Sequence, residues 1–181
     1  MARLFTSTGY LENSDASATL QMQALPPFLR VLLTTDGTVT KSLESYFWEP
    51  VSVKNCGQEY VHLEADAPVI ERETGARVLQ RRVQLLGTKS RRCYATAVSL
   101  LCTEMLPDHL RVQLEQGEVG VGELLRECGL ETYREIVAIG QGSHTSNDSD
   151  DSVWRTYRIV MAHQAFIQIT EYFPLSLYQR F

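Results

Sequence analysis

What most constrains this chain is the β-type alternation of its second half, together with two charges that break it. Side chains at i, i+2 and i+4 of a strand share one face. Over residues 79–85 the odd set is Leu79, Arg81, Val83 and Leu85, and the even set is Gln80, Arg82 and Gln84. Arg81 therefore falls on the apolar face, while Arg82 falls among polar neighbours. Residues 165–173 repeat the pattern: Ala165, Ile167, Ile169, Glu171 and Phe173 alternate with Phe166, Gln168, Thr170 and Tyr172. Here Glu171 is the acid on the apolar face. A lone charge in a dry core costs several kcal/mol even after relaxation, so such charges are paired or face a ligand. Two readings follow. One is a structural Arg81–Glu171 salt bridge, or a strand end where both charges reach water. The other is a polar floor to a mostly apolar pocket, with Arg81 set for a carboxylate and Glu171 for a hydroxyl or a proton. Spacing alone does not choose between them.

The remaining pattern is that of one α+β domain behind a short arm. Residues 1–23 are Ser/Thr-rich without a sustained period and read as an arm, partly ordered at best; residues 24–181 carry the domain. Pro26-Pro27 opens a short helix through Leu33, and Asp36-Gly37 makes a turn. Thr38 is placed to cap a helix over 39–47, with Val39, Leu43 and Phe47 on one side. Pro50 ends it, and Val51-Ser52-Val53 starts a strand that fades into Asn55-Cys56-Gly57. Residues 64–77 show no clear element. Strands follow over 78–86 and 92–102, joined by a hairpin loop at 87–90. A helix runs from Pro107 to Gln116, and a Gly120-Val121-Gly122 turn leads to a short helix over 123–128. Strands at 132–140, 153–161 and 165–173 complete the chain, with a polar loop at 140–151 that reads as mobile. Consecutive strands in short connections predict an antiparallel sheet with helices segregated to one side.

Composition narrows the function classes. The formal net charge of −5 argues against nucleic-acid or membrane-surface partners, which usually show as a basic excess. No apolar run is long enough for a membrane helix, and residues 1–15 do not read as a signal peptide, so the expectation is a cytoplasmic protein. Only three of the 17 basic residues are Lys (Lys41, Lys54 and Lys89). The rest are Arg, whose planar fork grips carboxylates. The cysteines form no C-x-x-C and the histidines no H-x-x-x-H, so no metal is assigned, and the four thiols are expected to be small buried or half-buried groups. Asp148, Asp150 and Asp151 lack the closing residues of a calcium loop. Arg91-Arg92 reads as a solvated hairpin tip.

In their order along the chain, several segments resemble the chorismate pyruvate-lyase family, in its divergent cyanobacterial and plastid-type branch. They are Pro-Pro-Phe-Leu-Arg-Val-Leu-Leu-Thr-Thr-Asp-Gly-Thr-Val-Thr-Lys-Ser-Leu-Glu at 26–44, Trp48-Glu49-Pro50-Val51, Arg81-Arg82-Val83, Tyr94-Ala95-Thr96-Ala97 and Leu106-Pro107. Gly120-Val121-Gly122-Glu123-Leu124-Leu125, Arg155-Thr156-Tyr157-Arg158-Ile159 and Ile169-Thr170-Glu171-Tyr172-Phe173-Pro174 follow.

The resemblance implies a sheet of about six antiparallel strands with helices packed around it, and a ligand enclosed beneath helix–turn flaps. It implies conversion of chorismate to 4-hydroxybenzoate and pyruvate, for quinone synthesis, without metal or other cofactor. A strand Arg binds the ring carboxylate in that family and a Glu meets the 4-hydroxyl; by position these are Arg81 and Glu171, with Arg82 the fallback if the register slips. Flap backbone groups would come from Val39 and Val121. Lys41 and Arg158 would add positive potential, with surface charge as their plainer reading. The chain departs from the best-known bacterial lyases at Thr96, where those enzymes carry Arg. Related folds also bind effectors without catalysis, so a non-catalytic domain for an aromatic carboxylate is the alternative. The oligomeric state, monomer or dimer, is left open.

Overall fold

Pro27 has no N–H to lose in a first helical turn and a φ already suited to it. It opens α1 (Pro27–Thr34), which buries Leu29, Leu32 and Leu33 completely. The computed structural model describes residues 20, 22–116, 120–127, 129–142 and 151–178. Most of the expected arm and the 140–151 loop, and Cys128, lie outside the described residues. Within the arm, Met22 is buried in the same cluster as α1, and Leu20 packs against that cluster. A short link leads to α2 (Val39–Phe47), which buries Val39 and Leu43. Thr38 takes the extended backbone of an N-cap, but its side chain makes no capping bond.

The strand β1 (Val51–His62) is much longer than expected. Asn55-Cys56-Gly57 does not end it. These residues form a bulge, with the register shifting between Asn55 and Gly57 and the Asn55 Oδ1 accepting the Gly57 N–H at 2.9 Å. A bulge bends a strand without ending it, so turn-forming residues can sit inside. The segment 64–77 contains a single 3-10 turn at Pro68–Ile70 that lies against two later strands and buries Ile70.

Next come β2 (Arg77–Gly87) and β3 (Cys93–Leu101), joined by a tight hairpin. The hairpin is pinned by Glu49, whose carboxylate accepts the Lys89 and Ser90 N–H groups at 2.8 and 3.0 Å and the Tyr94 hydroxyl. Gly87 leaves room for this clasp: a Cβ there would fall 2.6 Å from Ser90 Oγ and 2.7 Å from Glu49 Oε1 and would push the carboxylate aside. The helix α3 (Asp108–Gln116) precedes α4 (Val121–Glu127). The latter starts at Val121, two residues before the predicted start, so Val121 and Gly122 belong to its first turn. The last strands are β4 (Thr132–Gln141), β5 (Ser152–Met161) and β6 (Gln164–Pro174).

All pairings are antiparallel, in the order β1-β2-β3-β6-β5-β4. The fold is α+β, as the alternation predicted. Two apolar clusters occupy opposite ends of the sheet's helix-covered face. One joins α1 and α2 to Leu85, Val153 and Phe173. The other joins α3 and α4 to Leu79, Leu101, Ile159 and Ile167. Val83 and Ile136 border both clusters. Between the clusters the strands present their polar inward-facing residues.

Candidate functional site

Strand register lines these inward residues up in rows. One row reads Val83, Ala97, Glu171, Arg155 and Ile139, and its neighbour reads Arg81, Ser99, Ile169, Tyr157 and Ile136. Above them lies a cavity of about 440 Å³, roofed by the first turns of α2 and α4. That volume is in the range of about 300–1,000 Å³ found for small-molecule sites. Arg81, Tyr157 and Glu171 line it from the sheet, Val39 and Lys41 from α2, and Val121 from α4.

Three of the charged groups on this face are buried: Arg81 and Arg155 are each 1% exposed and Glu171 is 6% exposed. Glu171 takes Arg155 as its ion-pair partner, with Arg155 Nε donating to Glu171 Oε2 at 2.8 Å. Tyr157 donates its hydroxyl to the other carboxylate oxygen, Oε1, at 3.2 Å. Both oxygens of Glu171 are thereby oriented. Arg155 Nη1 also donates to the Thr35 carbonyl, in the link that precedes α2. One guanidinium thus ties the buried carboxylate to the root of a roof helix. Burial raises the Tyr157 phenol far above its ordinary pKa, reinforced by the Glu171 charge, so it stays a hydrogen-bond donor. Burial also pulls Arg81 below the ordinary arginine value. It remains a cation at any working pH, in a setting where a matching anion gains the most.

Not every residue singled out in the sequence reaches the cavity. Arg82 points to the opposite face of the sheet, half exposed, with Glu59 at 3.4 Å. Arg158 is likewise on the outer face, where it pairs with Glu135 at 2.8 Å and Glu71 at 3.6 Å. Strand parity is the reason for both corrections: each is an odd number of residues from an inward-facing neighbour. The same parity turns Thr96 away, and the cavity meets Ala97 instead. Cys56 is another correction, since it is exposed on the bulge of β1.

Arg155 and Tyr157 were missed. Their signal was present: Val153, Arg155, Tyr157 and Ile159 form an apolar odd set with one charge, as in β2 and β6. Arg134 of β4 and Arg126 of α4, also on the cavity wall, were missed too. Among the described residues no group of three or more His, Cys, Asp or Glu is placed to hold a metal ion, and no helix is long and apolar enough to cross a membrane.

Solved structures with this architecture include a GntR-family transcriptional regulator from Bacillus cereus, with a TM-score of 0.54 at 11% identity, covering 70% of this chain and 92% of that one. The C-terminal domain of a histidine utilization repressor from Pseudomonas syringae aligns with a TM-score of 0.53, also at 11% identity, covering 70% and 92%. At such identity the likeness describes the fold. Sequence relatives are more specific. A chorismate pyruvate-lyase from Mycobacterium leprae is 29% identical over 167 residues, covering 88% of this chain and 80% of its own. One from Mycobacterium tuberculosis is 26% identical over 162 residues, covering 83% and 81%. The model of the Rv2949c-like chorismate pyruvate-lyases matches residues 33–181. With most of its length matched, the chain belongs to that lyase family.

Proposed function

We propose that this protein is a chorismate pyruvate-lyase that releases 4-hydroxybenzoate and pyruvate. The observation that carries the reading is a buried carboxylate, Glu171, held by Arg155 and Tyr157 on the wall of a roofed cavity. Buried Arg81 sits two strands away on the same wall, about 10 Å at ordinary strand spacing. Arg81 takes the ring carboxylate through its fork, and Glu171 meets the hydroxyl on the opposite side of the ring. The backbone at the start of α2, at Val39, adds first-turn N–H groups without intrahelical acceptors. Val121 closes the roof from α4, and exposed Lys41 adds positive potential at the mouth.

The reaction balances within the substrate. The ether bond from the ring to the enolpyruvyl oxygen breaks, and its electron pair leaves with that oxygen. The hydrogen on the neighbouring hydroxyl-bearing carbon leaves as a proton, its C–H pair completing the aromatic ring. Enolpyruvate gains one proton at its methylene carbon and becomes pyruvate. No oxidant is consumed, and aromaticity supplies the driving force. What the protein must provide is orientation, exclusion of water and a group that polarises the hydroxyl or accepts the proton. Glu171 is that group in this reading, and Arg155 is its positioning residue.

The product is assigned to quinone synthesis of the plastoquinone or ubiquinone type, in the cytoplasm. Purified protein incubated with chorismate should yield equimolar 4-hydroxybenzoate and pyruvate. Folded protein that binds 4-hydroxybenzoate tightly but makes neither product would leave a non-catalytic binding domain in its place. Loss of the gene should deplete the quinone, and added 4-hydroxybenzoate should restore it.

A further inference from the structure

Chorismate carries two carboxylates, and only one of them stays on the aromatic product. Arg81 accounts for the ring carboxylate. The second, on the enolpyruvyl group, leaves with pyruvate and needs its own partner. We infer that Arg134 holds this second carboxylate and so distinguishes the dianionic substrate from the monoanionic product. The inference rests on the lyase reading of the same site.

Arg134 is half-buried on the inner face of β4 and lines the cavity. Its register partner is Ile159, one row beyond the pair of Tyr157 and Ile136. The other cations on the cavity wall away from Arg81 are Lys41 and Arg126, and both are exposed, where water weakens their pull. Arg134 instead lies beneath the roof, between the roots of both helices. Its Nη1 is 3.5 Å from the Asp36 carbonyl, in the link before α2. Its Nη2 lies 3.2 Å from where a Cβ on Gly122 would be, so the glycine in the first turn of α4 lets that helix close down on the guanidinium. The charge of Arg134 is also felt at the Tyr157 hydroxyl. It therefore stands near the Glu171 end of the cavity.

The order of charges across the sheet matches the order of groups around the substrate ring. From β2 to β4 the inner face presents Arg81, then Glu171 on β6, then Arg134. Around the ring the carboxylate lies opposite the hydroxyl, and the enolpyruvyl group is attached to the carbon next to the hydroxyl. A substrate with its carboxylate on Arg81 and its hydroxyl on Glu171 carries its side chain toward either β4 or the roof, and Arg134 guards that region. A planar fork suits a carboxylate that must also be released once it has left the ring.

The test compares R134M with wild type for both ligands. Chorismate KM should rise about tenfold or more, the usual cost of one charge-assisted contact, while the inhibition constant of 4-hydroxybenzoate moves less than about twofold. R134K, which keeps the charge but not the fork, should fall between. A change in which both ligands weaken equally, or neither weakens, overturns the inference, since a residue that only shapes the cavity would affect them alike. Should R134M fold poorly, R134K alone still reads the split. Wild type that binds chorismate without converting it would sink the lyase reading, and the same contrast is then read from dissociation constants. Wild type that binds neither ligand overturns both.

Discussion

The two faces of one sheet use the same residue type for opposite purposes. Arg81 and Arg82 are adjacent in β2, and Arg155 and Arg158 lie three residues apart in β5. On the outer face, Arg82 and Arg158 meet Glu59, Glu135 and Glu71 in water-exposed pairs. Pairs of that kind are worth about 0–1 kcal/mol and are screened by salt. On the inner face, Arg81 and Arg155 are each 1% exposed, and Arg155 is bonded to a buried carboxylate. Removing one partner of such a pair costs about 3–5 kcal/mol, because the other charge is stranded. Parity in the strand, and not the number of arginines, decides which ones face the cavity. The lesson extends to the whole-protein charge. With a formal net charge of −5, the molecule does not draw a dianion from a distance as a basic surface would. On the proposed reading, recognition is therefore local, at the few cations beneath the roof.

Several substitutions sharpen the contrast. Glu171→Gln preserves size and removes the charge, and should lower kcat by about 10²–10⁴. The fold should survive, as judged by circular dichroism, since the amide oxygen still accepts from Arg155 and the amide NH2 can donate to the Tyr157 hydroxyl oxygen. Unchanged turnover would remove Glu171 from the reaction. Next in size is Arg155→Met. Its loss removes the donor that orients Glu171 Oε2, so kcat should fall about tenfold or more while the KM for chorismate changes by less than about threefold. Arg155→Lys should restore part of kcat, and outer-face Arg158→Met should leave it unchanged. An unchanged kcat in Arg155→Met, or a loss that Arg155→Lys does not relieve, would break the positioning role.

The smallest effect concerns stability away from the cavity. Hydrogen bonds from Tyr94, then Ser90, hold the Glu49 carboxyl at about 2, below its ordinary 4.5. A depressed folded pKa contributes stability that is complete above the ordinary value and is lost as pH falls toward the folded one. The Tm gap between wild type and Glu49→Gln should therefore be full at neutral pH and close between about 4.5 and 2. A gap independent of pH would contradict the pinning of the hairpin by this carboxylate.

Much of this was legible in the chain because a strand with one wet face and one dry face writes its burial into alternate residues. Arg81 and Glu171 stood out for that reason, and so did the antiparallel order. Arg155 and Tyr157 obeyed the same rule in β5 but belong to a segment where both faces are partly buried, which weakens the contrast. The pairing of Glu171 depends on which strands become neighbours. The placement of β6 between β3 and β5 is a long-range choice that local pattern does not encode. β1 was cut short in the reading because Asn55 and Gly57 are turn formers, and a bulge uses the same residues. Arg134 escaped because the β4 register shifts between Ile136 and Ala138, which blurs the alternation there.

The central claim is that the inward-facing charges carry the chemistry and the outward-facing ones do not, and β2 offers the most direct trial of it. Arg81→Met and Arg82→Met alter neighbouring residues of one strand by the same chemical change. Measured side by side with chorismate, kcat/KM should fall by about 100-fold or more for Arg81→Met, the cost of losing a desolvated charge-assisted contact. For Arg82→Met it should stay within about twofold, as for a surface pair. Equal losses in the two variants, or a larger loss at Arg82, would contradict the account.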